Sequence, residues 1–199
     1  EILVVVNGSE DDTAEIARTY EAVLARAGLA LRVFEHEEAG KIGALNVGDA
    51  AASGGARLYL DADVTVSPDL PRTLLAALDT PAPRFASGRV EITGRGGIAR
   101  AYARFWRKVP FMSASVPGCG LYAVNAAGRA RWGAFPDVIA DDLFARLCFA
   151  PGERVAVAAG YRWPVAEGLA ALVRVRRRQD AGVAEIARRF PELMANEDK

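Results

Sequence analysis

The sequence predicts an α/β fold, a mainly parallel sheet with helices on both faces. Three observations carry that prediction. Strand-like and helix-like stretches alternate from Ile2 to Leu78, the rhythm that builds parallel sheets covered on both sides. The run Ile2 to Val6 is apolar throughout, which marks a strand buried on both faces. Turn residues follow such runs directly, Asn7-Gly8-Ser9 after the first and Asp61 and Asp63 at the end of another. Ligands of these sheets sit outside the carboxyl ends of the strands, so Asn7 and the Asp61–Asp63 pair fall where a site is expected.

After Asn7 the spacing predicts a helix capped by Asp12, with Glu15 as its capping-box partner. Ile16, Tyr20, Val23 and Leu24 form its apolar stripe until Gly28 stops it. A short strand follows from Leu31 to Phe34, and Gly40-Lys41 opens a second helix carrying Ile42, Leu45 and Ala52. Lys41 then lies beside backbone N–H groups that favour anions; as a lone feature it reads equally well as a solvated lysine. The strand-like run Arg57-Leu-Tyr-Leu60 ends in Asp61 and Asp63, and Ser67-Pro68-Asp69 starts a helix that reaches about Leu78.

The second half changes character. Arg84 to Thr93 is predicted as a strand, and Ile98 to Val109 as a helix whose Arg100, Arg104, Arg107 and Lys108 alternate with Tyr102, Phe105 and Trp106. Such a helix either lies on a membrane surface or turns its aromatics to the core and its arginines to water, the commoner arrangement. Pro117-Gly-Cys-Gly120 is a tight, backbone-exposing turn before the strand Leu121 to Val124, and Gly133 to Pro136 is another. Ala140-Asp-Asp-Leu-Phe144 starts a helix with two acids at its positive end, where helix capping alone would account for them. A strand near Val155 to Ala158 precedes Leu172 to Gln179, in which strand-type alternation would put Arg174, Arg176 and Arg178 on one face. Guanidinium groups suit phosphate oxygens, although a charge run is more often solvated surface.

At 199 residues, 51% apolar and 25% charged, the chain is long enough for one domain with a substantial core. Its 25 basic residues balance 25 acidic ones, so nothing global points to nucleic acid. Cys119 and Cys148 make no disulfide framework, and with His36 as the one histidine there is no zinc-site spacing. A reducing cytoplasm is the expected location. No secretory pattern opens the chain, and the charge-free run Phe111 to Gly128 is interrupted by Pro117, Gly118, Gly120 and Asn125, so no membrane span is predicted.

Asp61 and Asp63 carry the chemistry. On a strand, residues i and i+2 share a face, so the two carboxylates would point the same way. Two acidic oxygens suit Mg²⁺ or Mn²⁺, which is commonly held by one or two carboxylates plus substrate phosphates. The implied substrate is a phosphate ester or anhydride; the competing reading is ordinary turn chemistry after a buried strand.

Together and in order, these motifs resemble the family 2 glycosyltransferases with the A-type nucleotide-diphospho-sugar fold, a Rossmann-like, mixed and mainly parallel sheet. Val4-Val-Val-Asn-Gly-Ser-Glu-Asp-Asp-Thr13 resembles the family's base-contacting turn, with Asn7 where the family usually has Asp. Gly40-Lys-Ile-Gly-Ala-Leu-Asn46 resembles its Gly-Lys-x-x-Ala-Leu-Asn helix start, and Leu60-Asp-Ala-Asp63 its Asp-x-Asp motif. Ala140-Asp-Asp142 is similar to its Glu-Asp pair. Arg176-Arg-Arg-Gln179 stands where processive members carry Gln-x-x-Arg-Trp, without the Trp, which argues against polymer synthesis. The family also begins with a strand and helix that have no counterpart in these residues; about 30 residues upstream, or another segment, are expected to supply them, since without that central strand its neighbours' backbone groups would go unpaired.

The resemblance implies a single glycosyltransferase domain over 1–199, with a nucleotide-binding half (1–80) and an acceptor-binding half (81–199). The implied reaction is inverting, metal-dependent transfer from a nucleotide-diphospho-sugar to a hydroxyl of a lipid-linked or small acceptor, with peripheral contact at the inner membrane face as one setting. Asp63 would hold Mg²⁺ or Mn²⁺ and Asp61 the ribose or a metal-bound water; Asn7, Lys41, Arg177 and Arg178 would also contact the donor. Asp142 would be the general base, Asp141 would orient the acceptor, and Gly118, Cys119 and Trp132 would line the acceptor side. Two other readings stand beside it: a non-catalytic nucleotide-sugar-binding domain, and a sugar nucleotidyltransferase on a related fold.

Overall fold

The computed structural model describes residues 1–38 and 40–198. They form two compact units, Glu1–Gly55 with Gly133–Asp137, and Ala56–Trp132 with Val138–Lys199.

The first unit contains β1 (Ile2–Asn7), α1 (Thr13–Thr19), α2 (Glu21–Arg26), β2 (Leu31–His36) and α3 (Lys41–Ala51). β1 and β2 pair in parallel, from Ile2 opposite Leu31 to Asn7 opposite His36. The single helix expected over this stretch is two short ones meeting at Tyr20, and Ile16, Tyr20 and Val23 remain half exposed or more because no described element covers that stripe. The cap also differs. Asp12 takes the N-cap position without a side-chain bond, while the Asp11 carboxylate accepts from the Thr13 N–H (3.0 Å), the Thr13 hydroxyl and the Ser9 hydroxyl. An Asx turn reaching two residues forward outcompetes the cap one residue later. The hydroxyls of Ser9 and Thr13 and the Thr13 N–H hold the Asp11 carboxyl down at about 2. Gly133–Asp137 joins this unit through Asn46, whose amide donates to the Phe135 carbonyl (3.2 Å) and accepts from the Phe135 N–H (2.7 Å).

The second unit contains β3 (Arg57–Leu60), β4 (Thr65–Val66), α4 (Leu70–Leu78), β5 (Phe85–Thr93), α5 (Gly97–Trp106), α6 (Pro110–Ser113), β6 (Leu121–Val124), α7 (Ala126–Arg129), α8 (Asp141–Leu147), β7 (Arg154–Pro164) and α9 (Leu169–Arg189). Its sheet has the order β3-β6-β5-β7-β4. β5 and β7 run parallel, while β3–β6, β5–β6 and β4–β7 are antiparallel. The five-stranded sheet is thus mixed and the two-stranded one parallel, and the two parallel ladders, six and eight residue pairs long, are the longest. Leu70, Leu74 and Leu78 recur at the helical period on α4 and pack on Ala86, Leu121, Ala123 and Tyr161 of the sheet. Among the described residues β1 pairs only with β2, and β3 only with β6.

Two helices depart from expectation. α5 buries Ala99 and Ala103, not its aromatics; Phe105 is 66% exposed and the Trp106 ring lies under the Arg176 guanidinium, 5.0 Å away. Small side chains let a helix backbone approach its neighbour, and here the alanines occupy the inward face. The basic run 174–178 lies within α9, so strand alternation does not apply. At the helical period Arg174 and Arg178 share a face, while Arg176 pairs one turn on with Asp180. No described helix is long and apolar enough to cross a membrane.

The most demanding side chain in the unit is Arg146 on α8, which is fully buried. Its guanidinium donates to the Val116 carbonyl (3.1 Å), Glu197 (3.1 Å) and Asp198, and lies over the Phe111 ring. Asp198 also accepts from the buried Arg154 (2.9 Å). Taking one partner from a buried ion pair costs more than the pair contributes, because a desolvated charge is left behind. Asp198→Ala is expected to lower unfolding free energy by about 3 kcal/mol, the low end of the range because Asp198 is itself partly exposed. Adding Arg146→Met should recover part of that loss, as read from denaturant midpoints. For Asp11, a depressed carboxyl means stabilisation present above the ordinary value of 3.8 and lost as pH falls through about 2. A carboxyl-carbon NMR titration should find that low midpoint, and Ser9→Ala should raise it.

Candidate functional site

β3 stops at Leu60, and Asp61-Ala62-Asp63-Val64 is a turn closed by the Val64 N–H on the Asp61 carbonyl (3.1 Å). The two carboxylates therefore project from a turn, not from one face of a strand as the alternation argument expects. The Asp61 N–H still follows the β3–β6 register, bonding the Gly120 carbonyl (2.9 Å), and the strand ends there because the Asp61 carbonyl is taken by the Val64 N–H of the turn. Asp61 is part buried and Asp63 exposed.

That bond fixes the turn against the Pro117–Gly120 segment. Gly118 and Gly120 have φ of +70° and +69°, a region that strains other residues. A Cβ on Gly118 would also stand 2.7 Å from the Phe85 ring, and one on Gly120 2.9 Å from a Val64 methyl. Between them, the Cys119 carbonyl accepts from the Tyr161 hydroxyl (2.9 Å). Burial pushes the Cys119 thiol well above its ordinary range; the charges of Asp142 and Asp61 push the same way, and Arg146 opposes them. Burial raises the Tyr122 phenol too, helped by Asp141, Asp142 and Asp61, and Tyr161 feels Asp142 and Asp61. Residues eighty apart in sequence thus act on the same buried groups.

Asp141 and Asp142 open α8, where the N-cap is Ala140 and makes no side-chain cap bond. Asp141 is buried, while Asp142 is part exposed and accepts from the Leu143 N–H (2.8 Å). Asp142 thus satisfies a first-turn N–H, as an acid at a helix start is expected to, while Asp141 is held buried beside it in sequence. Arg146, one turn along, ties this helix to Val116 beside the glycine turn. The Tyr122 hydroxyl is buried among these acids without a hydrogen-bond partner among the described residues. Such an orphan donor invites a ligand oxygen.

Of the sequence-predicted residues, the structure brings together Asp61, Gly118, Cys119, Asp141 and Asp142, with Asp63 two residues from Asp61 in the same turn. Arg177 and Arg178 stand exposed midway along α9, and the acids and Arg146 are the charges that act most on Cys119, Tyr122 and Tyr161. Trp132, expected to offer its face to a sugar, is 9% exposed; Arg129 covers one face at 4.8 Å and Phe144 and Phe149 meet it edge-on, so it serves the core. Asn7 and Lys41 belong to the other unit, Asn7 ending β1 and Lys41 opening α3. Tyr122, Tyr161 and Arg146 escaped the sequence reading, since a buried polar group in an apolar run declares itself only through its tertiary partners.

The described residues contain no group of three or more His, Cys, Asp or Glu side chains placed to hold a metal. A carboxylate pair on an exposed turn nevertheless fits Mg²⁺ or Mn²⁺, which completes its shell with water and substrate phosphates.

Comparison with known proteins agrees with this architecture. The mannosyltransferase PcManGT of Pyrobaculum calidifontis, solved with GDP-Man and Mn²⁺, superposes with a TM-score of 0.67 at 24% identity over 94% of this chain and 55% of its own. TarS of S. aureus with UDP-GlcNAc gives 0.58 at 18% identity, over 94% of this chain and 57% of its own. Glucosyl-3-phosphoglycerate synthase of Mycobacterium tuberculosis with UDP gives 0.54 at 20% identity, over 99% of this chain and 70% of its own. The chain thus spans little more than half the length of the first and second of these. A search of curated proteins found no match. The glycosyltransferase A-type fold expected from the motifs is borne out, and since residues 1–126 match Glycosyl transferase family 2, the chain belongs to that family.

Proposed function

We propose that the chain transfers a sugar from a nucleotide-diphospho-sugar to an acceptor hydroxyl in one inverting, metal-dependent displacement. The observation that carries this is the convergence of Asp61 and Asp142 on the same buried groups, Cys119 and Tyr122. The acceptor oxygen attacks the anomeric carbon as the bond to the diphosphate breaks; the nucleoside diphosphate leaves with the bonding pair and Asp142 takes the hydroxyl proton. One displacement inverts the anomeric configuration.

Mg²⁺ or Mn²⁺, when bound, supplies positive charge that stabilises the leaving diphosphate. Asp63 is its proposed protein ligand, and Asp61 would hold the ribose or a water of that cation's shell. Mn²⁺ accompanies GDP-Man in the mannosyltransferase and UDP in the glucosyl-3-phosphoglycerate synthase, which supports the reading. Asn7 and Lys41 are proposed nucleotide contacts, and Arg177 and Arg178 diphosphate contacts, on their places in the motif order. Asp141 orients the acceptor alongside the backbone of Gly118 and Cys119. Being buried, Asp141 is well held for positioning, whereas the part-exposed Asp142 can meet a hydroxyl.

Asp63→Ala should weaken Mn²⁺-dependent binding of UDP and GDP at least about tenfold by calorimetry, with metal-free binding unchanged; equal Mn²⁺-dependent affinity in the variant would remove Asp63 from the site. Asp142→Asn keeps size but cannot take the proton. Transfer, followed by nucleoside diphosphate release across a panel of donors, should fall about 10²-fold or more with donor affinity nearly intact, the mark of a group that acts in the transition state. Near-normal turnover in that variant would refute the assignment. A protein that only holds a nucleotide-sugar would show no acceptor-dependent release in either form.

A further inference from the structure

A second feature of the sheet unit lies outside the acidic cluster. A cavity of about 640 Å³ is lined by Thr65 to Pro68, by Arg89, Val90 and Glu91 of β5, by Arg107 at the end of α5, and by Gly160, Tyr161 and Arg162 of β7. Three arginines and one glutamate are thus among its lining residues.

The fold places these charges deliberately close. Strand alternation puts Arg89 and Glu91 on one face of β5, and the register sets Glu91 opposite Arg162, which donates to it at 3.4 Å. The β5–β7 register slips just before Arg89, so that Ser87 faces Ala156 but Arg89 faces Gly160. Irregularities of this kind re-aim side chains, and they recur beside functional sites. Arg107 arrives from a different element, with its Nε 3.4 Å from the Ala103 carbonyl. Neither Arg89 nor Arg107 makes an ion pair among the described residues. Glu91 offsets Arg162, which leaves Arg89 and Arg107 as the two lining cations with no ion pair among the described residues.

We propose that this cavity is a subsite for a singly or doubly charged anionic group, a phosphate or carboxylate, on a small ligand. Planar guanidinium groups converging from separate elements suit the paired oxygens of such a group. A pocket wall concentrates their field more than open surface does. The cavity also adjoins the acids. Thr65 of its wall stands two residues beyond Asp63, in the strand that follows the acidic turn. Resting on the transfer reading, the ligand is an acceptor that carries its anion in this cavity and its hydroxyl toward Asp142; the anion subsite itself needs neither metal nor turnover.

The test uses the whole chain without divalent cation, titrated by NMR with inorganic phosphate and, separately, with acetate. Saturable binding of one or both is expected, with shifts confined to the cavity. Arg89→Gln with Arg107→Gln should weaken it at least about tenfold while circular dichroism stays unchanged, and Arg188→Gln, far along α9, should leave it intact. The stronger of the two titrants names the group. Absence of saturable binding, equal binding in the double variant, or equal weakening by Arg188→Gln would each overturn the proposal. If phosphate binds as expected but no donor releases its nucleotide, only the transfer reading fails.

Discussion

A guanidinium group with no exposure to water is the constraint around which the sheet unit closes. Desolvating Arg146 is tolerable only if nearly every donor finds an acceptor, and those acceptors come from two distant places: Val116, and the neighbouring Glu197 and Asp198. Because the demand is strict, the arrangement is specific. α8 cannot slide without stranding a charge, the segment before the glycine turn cannot drift from it, and residues 191–198 are held against the helix that begins with Asp141 and Asp142. Arg154 shares Asp198, so two buried cations depend on one carboxylate.

That rigidity bears on chemistry because an acid helps a reaction only where its position is already set. The acids lie against an apolar and aromatic wall in which Tyr59, Tyr122 and Phe85 stack in succession. A low-dielectric wall strengthens each charge felt across it, which is why burial and carboxylates together raise Cys119 and Tyr122 so far. The thiol therefore stays protonated and serves as filler between carboxylates, not as a nucleophile.

Legibility from the sequence followed the range of the interaction involved. Ile2 to Val6, Leu121 to Val124 and the helix opening at Gly40-Lys41 were readable because apolar runs and glycine caps are local signals. The family was readable because four motifs kept their order. What failed was decided by competition between near-equal local options or by distant partners. Asp11 and Asp12 both could cap, and a hydroxyl at Ser9 decided for Asp11. Asp61 and Asp63 looked strand-like, but the Val64 N–H turns back onto the Asp61 carbonyl and ends the ladder after the Asp61–Gly120 bond. An arginine-rich run fits either period; Asp180, one turn beyond Arg176, was the overlooked helical signal. Trp132 reads as a sugar platform only if its face is free, and Arg129 occupies it.

Among the described residues β1 pairs only with β2 and β3 only with β6, and on β3 Leu58 and Leu60 are more than two-fifths exposed. Neither β1 nor β3 contains a proline, and each presents a row of backbone donors and acceptors beside apolar side chains. Folded proteins ordinarily blunt such edges with charges, bulges or covering segments. An uncovered edge is a template for any extended peptide of either polarity, and at high concentration the nearest such peptide is the matching edge of another molecule. Any segment that pairs with β1 or β3 on the side away from its partner must therefore be extended and match its backbone donors and acceptors in register.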